Sequence, residues 1–182
     1  MTKTCIICGR DIHSKRADAK FCSGRCRVSH HRAERRSKAV PAELATIPRW
    51  VRWKPSGGRK RPLTVDGGPS SVTDSSSWSD YASAAASKAG VGLGFVLSDE
   101  DDIACIDIDD CVIDGVASQA VLDVIRATPG VFWVELSPSK KGLHAWHRGA
   151  NGPGTNRVEG GIRIERYTQA RYLTFTGDRM EV

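Results

Sequence analysis

Residues 103–109 read Ile-Ala-Cys-Ile-Asp-Ile-Asp, an apolar run ending in two acids spaced by one. On a β-strand, alternate side chains share a face, so Asp107 and Asp109 are expected to project together while Ile106 and Ile108 enter the core. Two carboxylates side by side at the end of a buried strand repel each other, and a divalent cation is the commonest remedy. Two later segments carry matching chemistry. Ser137-Pro138-Ser139-Lys140-Lys141-Gly142-Leu143-His144 offers hydroxyls, amines and an imidazole, all good phosphate donors. In Gly161-Ile162-Arg163-Ile164-Glu165-Arg166-Tyr167, the two isoleucines face one side and Arg163, Glu165 and Tyr167 the other. Two aspartates with one distant glutamate can hold two magnesium or manganese ions about 3.5–4 Å apart. That arrangement suits nucleotidyl transfer: one ion lowers the pKa of an attacking 3′-hydroxyl and the other neutralises the triphosphate and departing pyrophosphate. A positive loop would then orient the triphosphate.

These residues need elements to hold them. Arg49 to Trp53 reads as a first strand and residues 55–77, rich in Gly, Ser and Pro, as an extended loop. Ser79 to Ala89 has a helix signature, with Ser77 or Ser79 as N-cap and Gly90 after its end. Strands follow at 92–97, 103–109, 131–136, 143–146, 161–167 and 171–176, with a helix from Ser118 through Thr128. Residues 149–160 are Gly-rich and read as a mobile loop. Mixed helices and strands with a late strand cluster give an α+β class rather than regular βαβ winding. The glycines match no dinucleotide fingerprint, and no Walker-type phosphate loop occurs.

The first 40 residues carry a balance of +8 and the rest of the chain −2. A basic block ahead of a near-neutral domain points to a polyanion, most simply nucleic acid. Four of the six cysteines fall here, as Cys5-x2-Cys8 and Cys22-x3-Cys26. Two such pairs suit a tetrahedral zinc site, and zinc would supply most of the folding free energy of a segment without its own apolar core. His30 is a reserve ligand, whereas His13 and His31 read as surface residues. The segment 21–27, Phe-Cys-Ser-Gly-Arg-Cys-Arg, resembles the second half of small treble-clef fingers, in which the last cysteine opens a basic helix. Arg32, Arg35 and Arg36 on that helix are candidates for phosphate contact. The expected organisation is a zinc-finger module over 1–36, a linker over 37–46 and a main domain over 47–182.

The three acidic, Ser-x-x-Gly-x-His and Glu-bearing segments, in this order, resemble the archaeo-eukaryotic primase superfamily, in particular its phage and plasmid primase-polymerase domain. Gly94-Phe95-Val96-Leu97, Ile106-Asp107-Ile108-Asp109-Asp110-Cys111, Ser137 to His144 and Glu165 to Gly177 all follow patterns seen in phage members. Trp50-Val51-x-Trp53 and Ser77-Trp78 echo them too, and the resemblance spans 47–178. It implies a primase-polymerase core with RRM-like strands and metal binding by Asp107, Asp109 and Glu165. It also implies nucleotide contact by His144, with Ser137, Ser139 and Lys141 beside it and Arg171 near nucleotide or template. Ala170 departs from a frequent glycine, and Lys140-Lys141 from usual small residues.

The expectation is thus a DNA primase-polymerase that makes primers on single-stranded DNA from nucleoside triphosphates. It would use structural zinc and two Mg2+ or Mn2+ ions, with unwinding left to a separate helicase. The rivals are a non-catalytic zinc-finger replication accessory with a remnant primase fold and a two-metal nuclease. No long apolar run predicts a membrane span, and the expected location is the cytoplasm of a bacterial host. Asp99 to Asp102 and Asp114 read as a solvated acidic turn and His147 as surface. Cys105, Cys111, Trp50, Trp53, Trp133 and Trp146 read as core.

Overall fold

The computed structural model describes residues 3–28 and 40–182. Arg32, Arg35, Arg36, His30 and His31 lie outside the described residues. The chain divides into two compact units at the Ala39–Val40 bond.

In the smaller unit, the Cys5 N–H donates to the Arg10 carbonyl (2.8 Å) and the Gly9 N–H to the Cys5 carbonyl (2.9 Å), closing a tight turn that carries Cys5 and Cys8. An Ile6 N–H to Lys20 carbonyl bond (3.1 Å) ties that turn to the second cysteine pair. The Ser23 hydroxyl accepts from the Cys26 N–H (3.3 Å) and caps helix α1, described over residues 24–28. Among the described residues here only Cys5 and Ile12 are buried, so this unit has almost no apolar core.

The larger unit is an α+β fold of two antiparallel sheets with helices packed on them. The first sheet holds β1 (Trp50–Ser56), β2 (Arg59–Leu63), β3 (Gly92–Leu97) and β11 (Arg171–Phe175), in the order β11-β3-β1-β2. The second holds β4 (Ile103–Ile108), β7 (Val131–Leu136), β8 (Leu143–Arg148), β9 (Thr155–Glu159) and β10 (Ile162–Tyr167), in the order β7-β8-β4-β10-β9. A small hairpin of β5 (Val112–Ile113) and β6 (Val116–Ala117) stands apart. The helices are α2 (Ala42–Ala45), α3 (Tyr81–Ala86) and α4 (Gln119–Ala127).

β4 lies in the middle of its sheet, which is why its residues are apolar on both faces. Ile106 and Ile108 join Val134, Leu143, Ala145 and Ile164 in a core closed by Val121 and Ile125 of α4. Ile103 and Cys105, on the opposite face, pack with Trp133, Trp146, Phe95, Leu173 and Phe175, the last three from the first sheet. Trp50 anchors this second core. Its ring meets Tyr81, Phe95 and Phe175 edge-on at 5.0, 5.3 and 5.1 Å, and its indole N–H donates to the Leu44 carbonyl (3.0 Å).

Several expectations are corrected. Residues 55–77 are not all loop: β1 runs on to Ser56, turns through Gly57 and Gly58 (φ 57° and 74°) and returns as β2. Two consecutive positive φ values are what a two-residue hairpin turn requires. Pro62 is tolerated because β2 is an edge strand. Residues 149–160 are not uniformly loop either, because β9 pairs with β10. The Ala-rich helix is shorter than expected, and its N-cap is Asp80, whose carboxylate accepts from the Ser83 N–H (2.8 Å). β4 ends at Ile108, so Asp109 stands just beyond the strand. The acidic turn is not simply solvated: Asp101 pairs with the buried Arg49 guanidinium, and Asp102 with Arg148 (2.5 Å). His147 is half-buried, and burial lowers its pKa. Trp53 is half-buried rather than core, with the Lys60 ammonium 6.0 Å from its ring. Residues 40–46, read as linker, belong to the larger unit, where Leu44 is fully buried.

Candidate active site

Strand register brings the candidate residues into one line. Across the five-stranded sheet, Glu135 of β7 pairs with His144 of β8, His144 with Asp107 of β4, Asp107 with Glu165 of β10, and Glu165 with Asn156 of β9. Directly opposed residues share a face, so these five side chains form one polar rung. The neighbouring rung on that face is Trp133, Trp146, Cys105 and Tyr167, which belongs to the core between the sheets. The polar rung therefore stands at the border of that core.

Within the rung, contacts run from strand to strand. His144 is 2% exposed, with Nδ1 3.5 Å from Glu135 Oε1 and Nε2 3.6 Å from Asp107 Oδ1. Glu165 accepts from Asn156 Nδ2 (2.9 Å) and from the Tyr167 hydroxyl. The Arg171 guanidinium lies over the Tyr167 ring at 4.5 Å. Burial and the hydrogen bond to Glu165 push the Tyr167 pKa up to about 12. Asp107 is the unsatisfied member of the rung. Its Oδ1 is buried without a hydrogen-bond partner, and burial raises its pKa. His144 and Lys60 act to lower it, but Asp109 and Glu165 add like charge.

The rung opens into a cavity of about 530 Å3. The acids Asp107, Asp109 and Glu165 line it together with His144, Arg59, Lys60 and Arg171. Ser137, Ser139 and Lys141 do not line this cavity. Their loop closes on itself, with the Ser137 hydroxyl 3.0 Å from that of Ser139 and accepting from the Gly142 N–H (3.2 Å). It packs against the end of β4, because Gly142 leaves no room for a side chain between the Ile108 carbonyl and the Asp109 backbone.

Glu135, Arg59 and Lys60 belong to the site without being marked by the local sequence. Glu135 is fully buried, and its carboxylate accepts from the Trp133 and Trp146 indoles (3.4 Å each), the Thr176 N–H (3.2 Å) and the Gly177 N–H (2.7 Å). The available signal was the strand Val-Phe-Trp-Val-Glu-Leu, whose lone acid shares the face of Trp133. Arg59 and Lys60 were hidden by the loop reading of residues 55–77.

In the smaller unit, the donor atoms of Cys5, Cys8, Cys22 and Cys26 all lie within 4.8 Å of one another, the one such group of metal-binding side chains among the described residues. Sulfur separations of 3.5 Å (Cys8–Cys22), 3.5 Å (Cys22–Cys26) and 3.8 Å (Cys26–Cys8) come close to the roughly 3.8 Å edge of a tetrahedron with ~2.3 Å metal–sulfur bonds. The backbone N–H of Ile7 is the main influence lowering the Cys5 pKa to about 6. Although the Ser23 hydroxyl acts to lower it, crowding by the other three thiols together with burial raises Cys26 to about 11. Four thiols so placed cannot all ionise without a cation, so the cluster fits a metal ion. The same unit holds a concavity of about 600 Å3 lined by Lys15, Arg16, Lys20 and Arg27, with Phe21 beside them.

Among the described residues no three of the carboxylates, with or without His144, bring their donor atoms within 4.8 Å of one another as the cysteines do. The buried, unpartnered Asp107 oxygen nevertheless makes this row a fit for divalent cations: hard oxygen donors of like charge, one desolvated and unsatisfied.

The fold and site define an α+β domain in which an acidic row and basic side chains line one cleft. The sequence is similar to that of a DNA primase-polymerase of Nitratiruptor phage NrS-1, at 29% identity over 150 residues, covering 76% of this chain. The chain spans about a fifth of that relative's length, 21%. No protein-family model matches the sequence. No helix among the described residues is long and apolar enough to cross a membrane.

Proposed function

We propose that the larger unit is a nucleotidyltransferase domain of the primase-polymerase kind, acting on nucleoside triphosphates with single-stranded DNA as template. The observation that carries this reading is the Asp107 position. The acid is flanked in register by His144 and Glu165, has an unsatisfied buried oxygen, and borders a cavity with Arg59, Lys60 and Arg171 around it. The likeness to the phage enzyme supports it independently.

In this reading Asp107, Asp109 and Glu165 hold two Mg2+ or Mn2+ ions, which supply activation of the 3′-hydroxyl and charge neutralisation at the leaving pyrophosphate. The protein's own part is positioning. Asn156 and Tyr167 fix the Glu165 carboxylate by hydrogen bonds to its two oxygens. Lys60, Arg59 and Arg171 supply fixed positive charge for a polyphosphate, and His144 presents an imidazole to the same space. Ser137, Ser139 and Lys141 act on the nucleotide only through the loop they build. Zinc held by Cys5, Cys8, Cys22 and Cys26 keeps the smaller unit folded. Its basic groove, together with Arg32, Arg35 and Arg36, contacts the template.

The test is labelled-nucleotide incorporation on single-stranded DNA with manganese, comparing wild type with Asp107→Ala/Asp109→Ala. Template-dependent products that vanish in the double variant support the enzyme. DNA binding without products would leave a binding accessory in its place, and template cleavage without triphosphate use would make it a nuclease.

A further inference from the structure

We propose that Glu135 is a positioning residue that fixes the ring orientation and tautomer of His144, holding Nδ1–H toward β7 and turning Nε2 toward Asp107 and the cavity. That His144 then serves a nucleotide rests on the reading above; the placement of its proton does not.

Glu135 sits opposite His144 in the β7–β8 register, as Asp107 does in the β8–β4 register. The imidazole is therefore held between two acids on neighbouring strands. Those acids differ in their surroundings. Glu135 is fully enclosed. The two indole N–H groups and the backbone N–H groups of Thr176 and Gly177 all point at its carboxylate. These N–H partners can only donate, and the Thr176 hydroxyl, 3.2 Å from the same carboxylate, has one proton to share between it and the Leu136 carbonyl. The ring nitrogen facing Glu135 must therefore also be a donor, because a lone pair placed there would oppose a carboxylate oxygen. Among the described residues no Lys or Arg forms an ion pair with Glu135, so His144 is the one basic side chain against its carboxylate.

The other side of the ring is consistent with this choice. Asp107 Oδ1 lies 3.6 Å from Nε2 and is left without a hydrogen bond. If Nε2 carried the proton of a neutral ring, that oxygen would be its natural acceptor. With the proton on Nδ1, the Nε2 lone pair faces Asp107, whose side chain is 18% exposed at the cavity, where a bound cation can neutralise it, whereas the fully enclosed Glu135 has no such access.

Glu135 also links the ring to the end of the chain described here. Thr176 and Gly177 follow β11, whose first residue Arg171 lines the cavity. Residues 178–180 continue along β7, with the Leu136 N–H donating to Asp178 and the Met180 N–H to Val134 (2.9 Å each). One buried carboxylate thus ties β7, β8 and the segment after β11 to the orientation of one ring.

The experiment is 15N-resolved NMR of the histidine rings in the full chain, for wild type, Glu135→Gln and Glu135→Asp. The expected wild-type signature is a His144 ring with its proton on Nδ1. In Glu135→Gln an amide group replaces the acceptor-only carboxylate, so the His144 nitrogen shifts change while those of His147 hold. Nucleotide incorporation should fall roughly 10–100-fold in kcat with KM changed much less, the scale seen when an outer partner of a working histidine is altered. A wild-type ring protonated on Nε2 would overturn the proposal, even if both variants failed to fold. Unchanged His144 shifts in Glu135→Gln would overturn it too. Absence of incorporation by wild type would defeat the functional reading and leave the tautomer result standing.

Discussion

Gly142→Ala tests how the Ser137–Gly142 loop is locked to the acidic strand. A β-carbon at Gly142 would come within 2.7 Å of the Ile108 carbonyl oxygen, 3.1 Å of the Ser137 hydroxyl and 3.3 Å of the Asp109 α-carbon. The first two contacts are with the groups that end β4 and brace the loop, and Gly142 is not in the left-handed backbone region. The cost is therefore one of space, not of backbone conformation. Relieving a backbone overlap in a packed site typically costs about 1–3 kcal/mol, and ~2 kcal/mol corresponds to roughly 4–8 °C in Tm for a unit of this size. Gly152→Ala is the control, since no atom lies within 4 Å of its β-carbon and its φ is not positive; it should stay within about 0.5 kcal/mol of wild type. All five tryptophans, residues 50, 53, 78, 133 and 146, lie in the larger unit, so urea unfolding followed by tryptophan fluorescence reports on that unit alone. Because the adjustment must move Asp109 or the β4 terminus, Mn2+ affinity should fall together with stability. A Gly142→Ala protein as stable as Gly152→Ala would refute the close packing of loop on strand.

Four further outcomes are expected. Burial, with Asp109 and Glu165, raises the Asp107 pKa, so the native state keeps that proton to higher pH than the unfolded chain and loses stability as pH rises above the ordinary carboxylate value. Asp107→Asn should then be more stable than wild type at neutral pH without divalent ions, and show a flatter stability profile across pH 4–8 in urea titrations. Cys8→Ser should lower bound zinc, measured by elemental analysis, from one equivalent to well below one and unfold the smaller unit, whereas Cys105→Ser should leave zinc unchanged. Lys60→Ala should weaken triphosphate binding about 10–100-fold in a nucleotide titration, as expected for loss of a charge-assisted phosphate contact. Ala170 has φ 49°, a conformation that suits glycine, so Ala170→Gly should raise stability by about 0.5–1 kcal/mol in the same unfolding assay.

The residues that could be read from the sequence were those whose type and spacing carry the chemistry locally. Asp107 announced itself by ending an apolar strand, Glu165 by alternating with two isoleucines, and the cysteines by their spacing. Ser118 as the cap of α4 was equally plain, its hydroxyl accepting from the Val121 N–H (3.4 Å). Strand register was not legible, because it is set by pairing between segments far apart in sequence. That is why Glu135 was passed over: a lone acid in a strand gains meaning only when β8 places His144 beside it. β2 was hidden for a similar reason. Arg-Lys-Arg-Pro-Leu has poor strand propensity, and its pairing with β1 after the Gly57–Gly58 turn overrides that preference. Arg49 and Asp101 lie 52 positions apart, and nothing local marks them as a buried ion pair.

In the proposed function, the acidic row beside Asp107 drives transfer of a nucleotide from a triphosphate. Its most direct measurement is pyrophosphate released per nucleotide incorporated, with single-stranded template present or withheld, for wild type and Glu165→Gln. The expected result is one pyrophosphate per nucleotide, dependent on template and abolished in the variant. Template fragments without pyrophosphate, or neither product from a folded wild-type protein, would contradict it.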